Sequence, residues 1–376
     1  MKKLLIVAEN MHVGGIQKSL VNFLRACHAE YDITLLLFCQ KGEFLSDIPA
    51  GVKVLAPCPP LRVLGAYKSD LKKHPLAYVW KAALILLARA FSKKAAFSFA
   101  ALTQKKLRGF DAAISFSHPS KEHDLRSCGA EFVLSKVEAK EKICFLHGSY
   151  HESAVRSAYT DALYRRFDKV ACCSASVRRR FLEFLPELEE KTYAVRNFYD
   201  LSLCNIQSED CHVYDGNGIN LVTVARLSVE KGIERAISAL HASGRRDIRY
   251  YLVGEGPRRQ SIEAMIAEKE MREQVFLLGE TQTPYVYMKN ADYLLVPSFH
   301  EAAPMVFDEA KALGLPIIAT DTTSAEEMVG CEGGIVCENS EAGLTAAFAQ
   351  LQKKPKGDTP PCDNELQHAQ LCELLR

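Results

Sequence analysis

Apolar and polar positions fall in blocks along the chain, and the blocks form two series. The first opens on the apolar run of "KKLLIVAEN". It breaks into a glycine-bearing turn and continues as "MHVGGIQKSLVNFLRACHAEY", whose apolar residues recur at helical spacing. "DITLLLFC" is a second strand without a polar face, the kind that a parallel sheet buries on both sides. "DAAISFS", "KICFLHG" and "KVACCSAS" are further short apolar runs, each ending in small or polar residues. The second series starts at Ile219 with "INLVTVARL", followed by helix "GIERAISALHAS", strand "IRYYLVGEG" and helix "RRQSIEAMIAEKE". It continues with strand "QVFLLGE", helix "PYVYMKNA", strand "DYLLVPS", helix "MVFDEAKALG" and strand "LPIIATD". "GCEGGIVCEN" after it reads as turn-rich.

Strands that alternate with helices call for parallel sheets covered on both faces. "LSLCNIQSEDCHVYDGNG", polar and aperiodic, separates the series and reads as a linker. The pattern predicts an α/β protein of two doubly wound domains, residues 1–200 and 219–352, joined by 201–218 and facing across a cleft. Ligands of such sheets sit at the carboxyl ends of the strands. The tail 353–376 begins with the proline-rich "KKPKGDTPPCDNELQ" and is expected to be poorly ordered before a short final helix. A length of 376 residues suits two cores, and 48% hydrophobic with 25% charged residues is a soluble globular composition. The 47 Lys and Arg nearly cancel the 46 Asp and Glu, so the whole chain shows no bias towards nucleic acid. Thirteen scattered cysteines without a CxxC spacing read as reduced thiols of a cytoplasmic protein. The opening apolar run is too short for a signal peptide's apolar core and reads as a buried strand.

Four places could carry chemistry. Gly14-Gly15 follows the first strand and opens a helix, so backbone N–H groups there can approach an anion or a sugar; a plain tight turn fits the same residues. Arg226 and Lys231 flank a strand-to-helix turn, where a guanidinium fork and a point charge can meet one diphosphate; two solvated cations are the plainer reading. "LVGEGPRR" offers another such turn, but Gly254-Glu255-Gly256 lacks the third glycine of a dinucleotide fingerprint and is a weak nicotinamide signal. "SFHEAAPMVFDEAKALG" places Glu301 and Glu309 eight apart, with Pro304 suited to the first position of a helix. The N–H groups of Ala303, Met305 and Val306, on either side of Pro304, which has none, would then face the cleft at the positive end of the helix dipole. The two carboxylates could clamp sugar or ribose hydroxyls, form a catalytic pair, or leave Glu309 as a solvated helix residue.

In this order the pieces resemble the family-four (GT4-type) retaining nucleotide-sugar glycosyltransferases of the GT-B fold. The resemblance takes in the Gly pair, "FLHGS" around His147, "VRNFYD", "VARLSVEKG", "LVGEGP", "VFLLGE", "LLVPSFHEAAPMVFDEAKALGLPIIATD" and "GGIVCEN". It implies that Arg226 and Lys231 hold the donor diphosphate and stabilise its growing charge as the glycosidic bond breaks. Glu309 would accept from the ribose hydroxyls of a UDP- or GDP-linked sugar. Glu301 and the N–H groups near Ala303 to Val306 would orient the sugar and phosphates. Gly14, Gly15 and Gly254 would lie near the donor, and His147 would line the transfer site near the acceptor. No metal or other cofactor is expected, and no Asp-x-Asp occurs in the chain. His147 and His151 are four apart, but Gly148 follows the first, so this is not the HExxH zinc motif. One position departs from the family: Ala302 stands where a glycine is usual, which narrows the space beside the sugar and bears on its identity.

Residues 61–108 hold eleven Lys or Arg and one acid, Asp70, a local charge of +10 against +1 for the chain. Within them "LAYVWKAALILLARAF" is apolar but interrupted by Lys81 and Arg89, too charged to span a membrane. The segment reads as a basic amphipathic helix pair suited to an anionic membrane surface, or as helices packed on the first sheet with a solvated cationic rim. Nucleic acid fits poorly, because aromatic residues are sparse and the run is helical and greasy. The expectation is a retaining glycosyltransferase, cytoplasmic or peripheral on the inner face of a membrane. Its acceptor would be a saccharide or lipid-linked saccharide in surface polysaccharide assembly. A two-carboxylate glycosidase, a nucleotide-sugar epimerase of similar shape and a catalytically silent nucleotide-binding subunit are the rivals.

Overall fold

The structure, a computed structural model, describes residues 1–150, 156–205, 214, 218–281, 283–330, 334–353 and 363–376. These divide into two compact units. The first comprises Met1–Phe198 with Asn364–Arg376, and the second Tyr199–Asp363. Most of the expected linker 201–218, part of the tail, and His151 lie outside the described residues.

The first unit is built on a seven-stranded sheet: β1 Lys3–Ala8, β2 Asp32–Leu37, β3 Lys53–Leu55, β4 Leu107–Ser115, β5 Val137–Leu146, β6 Lys169–Cys172 and β7 Thr192–Ala194. Their spatial order is β3-β2-β1-β4-β5-β6-β7, and every pair is parallel. Apart from exposed Lys3, each residue of β1 is buried, as its unbroken apolar run requires. Helix Gly15–Cys27 lays Leu20, Val21, Phe23 and Leu24 on one face of the sheet, where Phe23 meets Phe116, Phe145 and Phe198 edge-on.

The second unit holds six parallel strands: β8 Ile219–Val224, β9 Ile248–Val253, β10 Val275–Gly279, β11 Tyr293–Val296, β12 Ile317–Thr320 and β13 Gly334–Cys337. Their order is β10-β9-β8-β11-β12-β13, the doubly wound arrangement in which the winding reverses between β8 and β11. In the first unit the same reversal falls between β1 and β4. A crevice opens at such a point because the flanking helices lie on opposite faces of the sheet.

Three features differ from the pattern-based expectation. "GIVC" forms the edge strand β13 instead of a turn, its backbone paired with β12 from Ile317↔Gly334 to Thr320↔Cys337. The final helix, Glu365–Leu374, is a core element of the first unit, with Leu371 and Leu374 at 0% exposure. Lys169 Nζ donates to Leu374 O at 2.8 Å, and Arg196 N to Gln370 Oε1 at 3.0 Å. Pro304 caps helix Met305–Ala312 one residue earlier than expected, at φ −68° and ψ 126°. Its ring angle suits the approach to a helix, but its extended ψ keeps it outside the first turn.

Candidate functional site

In the second unit the loops after β8 and β11 emerge on either side of the winding reversal, and each carries candidates. Lys231 reaches across to the β11 loop, its Nζ 2.6 Å from Glu301 Oε1. Ser298 Oγ donates to the same oxygen at 2.8 Å, which fixes the carboxylate from two directions. Arg226, on the first of these loops, is 68% exposed and touches only Glu230 Oε1 at 3.3 Å among its ion pairs, while Ser228 Oγ holds that oxygen at 2.6 Å. Lys231 is thus engaged and Arg226 is presented to solvent.

The two loops are stitched together through backbone. Phe299 N donates to Glu230 O at 2.9 Å. Gly232, at φ +64°, lies so close to the β11 loop that a Cβ would stand 2.0 Å from Pro297 O. From the helix Ile233–Ser243, Arg235 Nη2 donates to Pro297 O at 2.7 Å, and its guanidinium covers the Phe299 ring at 4.0 Å. Thr320 Oγ1 donates to Ser298 O at 2.6 Å and Asn339 Nδ2 to Phe299 O at 3.0 Å, so three consecutive carbonyls of the β11 loop are held. Sequence inspection missed Arg235, Ser298 and Asn339. All three are polar residues at strand or helix ends, a signal too common to single out without contacts.

Gly254 and Gly256 have a packing role. At φ +143° a Cβ on Gly254 would meet Ala225 O at 2.0 Å, and one on Gly256 would meet Leu227 O at 2.3 Å. The "GEG" turn therefore lies flat against the Arg226 loop, and Leu227 N donates to Glu255 O at 2.9 Å. Helix Met305–Ala312 starts without a side-chain cap, and the N–H groups of a helix's first turn have no partner within it. Glu309, on its second turn, is 7% exposed, so it is not a solvated surface residue. Ala302 does not occupy positive φ; Glu270, at 53°, is the one described non-glycine residue that does. Its methyl group is accommodated without backbone strain.

The first unit gathers polar residues at the carboxyl ends of β1, β4 and β5. His147 stacks on Phe145 at 5.6 Å and lies tilted against Phe116 at 4.9 Å, and its Nε2 is buried without a hydrogen-bond partner among the described residues. Burial pushes its pKa down to about 3, with His118 adding to the effect, so the imidazole is neutral at physiological pH. His118, held down to about 4 by burial, also keeps a buried ring atom, Nδ1, that has no hydrogen-bond partner among the described residues. Glu9, beyond the end of β1, accepts from Ser127 Oγ at 3.0 Å and from Ser117 Oγ, and burial raises its pKa. Glu9 and His118 were overlooked in the sequence, although a charged residue closing a buried strand is a usable signal. Gly14 is extended at φ 177°, and a Cβ on Gly15 would meet nothing within 4 Å. The unit's own packing does not require glycine at position 15.

Residues 212–360 match the family described as Glycosyl transferases group 1. A putative colanic acid biosynthesis glycosyltransferase of Salmonella typhimurium is 27% identical over 150 residues, 37% of this chain and 37% of that protein. A GDP-mannose-dependent phosphatidylinositol dimannoside mannosyltransferase of Mycobacterium tuberculosis is 27% identical over 146 residues, 38% of each. The match thus spans little more than a third of these relatives' own length. Over the whole chain, the structure is similar to Anabaena Alr3699/HepE in complex with UDP, with a TM-score of 0.66 and 18% identity, covering 100% of this chain and 99% of that one. The fold is GT-B, and the chain resembles the GT4-type glycosyltransferases.

Proposed function

We propose that the protein is a retaining, metal-independent glycosyltransferase that moves a sugar from a nucleoside diphosphate sugar to a hydroxyl acceptor. The observation that carries this reading is the meeting of Lys231 and Glu301 at 2.6 Å, beside solvent-facing Arg226, at the winding reversal of the second unit. A cation already seated on a carboxylate can be shared with an arriving diphosphate, and an exposed guanidinium can close on it. Both oppose the negative charge that grows on the leaving diphosphate. Glu301, fixed by Ser298 and Lys231, orients the sugar. Glu309 accepts from the ribose, and the uncapped helix start at Met305 and Val306 adds N–H donors. On this reading neutral His147 serves the acceptor side of the reaction. The relatives named for colanic acid biosynthesis and for a phosphatidylinositol dimannoside support a saccharide or lipid-linked saccharide as acceptor, and the structure with UDP supports a uridine nucleotide.

The test is a thermal-shift panel of UDP, GDP and their sugars, followed by turnover of the stabilising donor with and without EDTA and NMR of the product's anomeric configuration. A donor that raises Tm, is consumed in EDTA, and yields the same anomer supports the proposal. Isomerised donor without acceptor would mark an epimerase. Binding without turnover of any donor, across a panel of lipid-linked and free saccharide acceptors, would mark a silent subunit.

A further inference from the structure

The helix Pro75–Ala90 buries one face and leaves the other bare. Its inner face is anchored: Leu84 and Ala88 are buried, Trp80 Nε1 donates to Pro60 O at 2.9 Å, and Lys81 turns its ammonium onto the Ala66 carbonyl. The next helix, Lys93–Ala100, is pinned by Lys93, which has 0% exposure and sits 2.9 Å from Glu131 Oε1 and 2.8 Å from Ser120 Oγ. The outer surface of this pair is therefore presented by a fixed scaffold.

That surface is apolar. Leu76, Val79 and Leu86 are 87%, 64% and 65% exposed and share one helix face with exposed Ala83 and Ala90. Phe91, at 73%, extends it beyond the helix end. Phe99, whose ring lies 5.6 Å from Trp80, continues it onto the second helix. Among the exposed positions of Pro75–Ala90 only Arg89 is charged. A helix packed on one side and facing water on the other would carry polar residues along this arc, and a contiguous exposed apolar patch marks an interaction surface.

The charge around it is one-sided. The local surplus is smaller than the count of +10 suggests, since Lys93 is neutralised by Glu131, Lys81 faces inward, and Lys106 and Arg108 share Glu138 at 3.2 and 2.8 Å. Lys68, Lys72, Lys73, Arg89, Lys94 and Lys105 are exposed and form no ion pair among the described residues. Asp70, the segment's single acid, is taken up by His12 Nε2 at 3.0 Å and Tyr67 N at 2.7 Å. An apolar stripe flanked by unpaired cations is complementary to a surface that is greasy within and negative at its boundary.

We propose that this face docks the protein on an anionic lipid surface. Leu76, Val79, Leu86 and Phe91 enter the headgroup boundary, and the flanking lysines and Arg89 meet lipid phosphates. Among the described residues no helix is long and apolar enough to cross a membrane, so the contact is lateral. The inference goes beyond the transfer reaction and stands apart from it.

The experiment is co-sedimentation of the full chain with phosphatidylcholine vesicles, with or without phosphatidylglycerol, at low and high KCl. Binding should require the anionic lipid and fall as salt rises. Leu76→Glu with Leu86→Glu should weaken it at least about tenfold, and Lys72→Glu with Lys73→Glu at least about 25-fold, at roughly fivefold per cation lost and more for the charge reversal. All four side chains are exposed, so Tm should hold, and the charge variants remain informative if the apolar pair does not fold. Wild-type protein left in the supernatant at low salt, equal binding to neutral vesicles, or undiminished binding by either variant would overturn the proposal. So would a lipid-free dimer that the Leu76→Glu, Leu86→Glu variant abolishes, since the face would then join two copies.

Discussion

Arg226→Ala separates the structural from the chemical role of the donor loop. The side chain is 68% exposed, and its ion pair is a 3.3 Å contact with Glu230, itself 49% exposed. An exposed pair of this kind contributes about 0.2–1 kcal/mol, and Ser228 still holds Glu230 once the guanidinium is gone. Truncation should therefore shift unfolding by less than about 1 kcal/mol. Its effect on turnover should be far larger, because one donor aimed at transition-state charge is worth about 3–4 kcal/mol, a loss of about 10²–10³ in kcat. Lys231→Ala differs in kind: it strands Glu301, 12% exposed, with Ser298 Oγ as its remaining donor among the described residues, and should cost about 1–2 kcal/mol of stability besides the lost turnover. The assay is donor turnover alongside urea unfolding of both variants. Turnover within a few-fold of wild type for Arg226→Ala would refute the diphosphate assignment.

Three further outcomes follow from the same geometry. Gly254→Ala puts a Cβ 2.0 Å from Ala225 O at φ +143° and should cost at least about 3 kcal/mol in a denaturant melt, whereas Gly15→Ala has open space and should stay within about 0.5 kcal/mol while impairing donor turnover. Ala302→Gly should leave Tm within a few degrees and broaden the range of donor sugars accepted in a competition assay, because Ala302 is unstrained and beside Glu301. Burial holds the folded pKa values of His147 and His118 at about 3 and about 4, below an ordinary 6.5, so the unfolded chain binds more protons and stability is lost as pH falls below about 6.5. At pH 5 each contributes up to about 2 kcal/mol of that loss, and His147→Asn should shrink the difference between urea midpoints at pH 7 and pH 5; an unchanged difference would remove His147 from the account.

The strands that the sequence disclosed are mostly interior ones, with edge strand β10 legible as well because its "VFLLG" is an unbroken apolar run. β1, β2, β8, β9 and β11 are flanked on both sides by other strands and covered on both faces, so each is a nearly continuous apolar run. β3, β7 and β13 lie at sheet edges and are three or four residues long with partly exposed positions, which left "KVL", "TYA" and "GIVC" without a pattern to read. The site was legible as letters but not as contacts. Lys231 and Glu301 are 70 positions apart, and their pairing follows only once β8 and β11 are neighbours across the winding reversal. The basic segment was over-read in the same way: composition counts Lys93 as a surface cation, while its partner Glu131 lies on a helix outside the segment.

The glycines show most clearly where motif reading ends and structure begins. Gly14, Gly15, Gly254 and Gly256 sit in comparable turns after parallel strands, and the sequence offers one explanation for all of them, close approach of backbone to a ligand. The room for a Cβ divides them. Gly254 and Gly256 are required by the chain's own backbone, whose carbonyls at Ala225 and Leu227 leave no room for a side chain. They set the loop that carries Arg226. At Gly15 the helix has an ordinary start and open space beyond it, so stability would accept alanine. Alanine at position 15 therefore tests the proposed donor contact with the fold left intact, whereas alanine at 254 or 256 tests packing first.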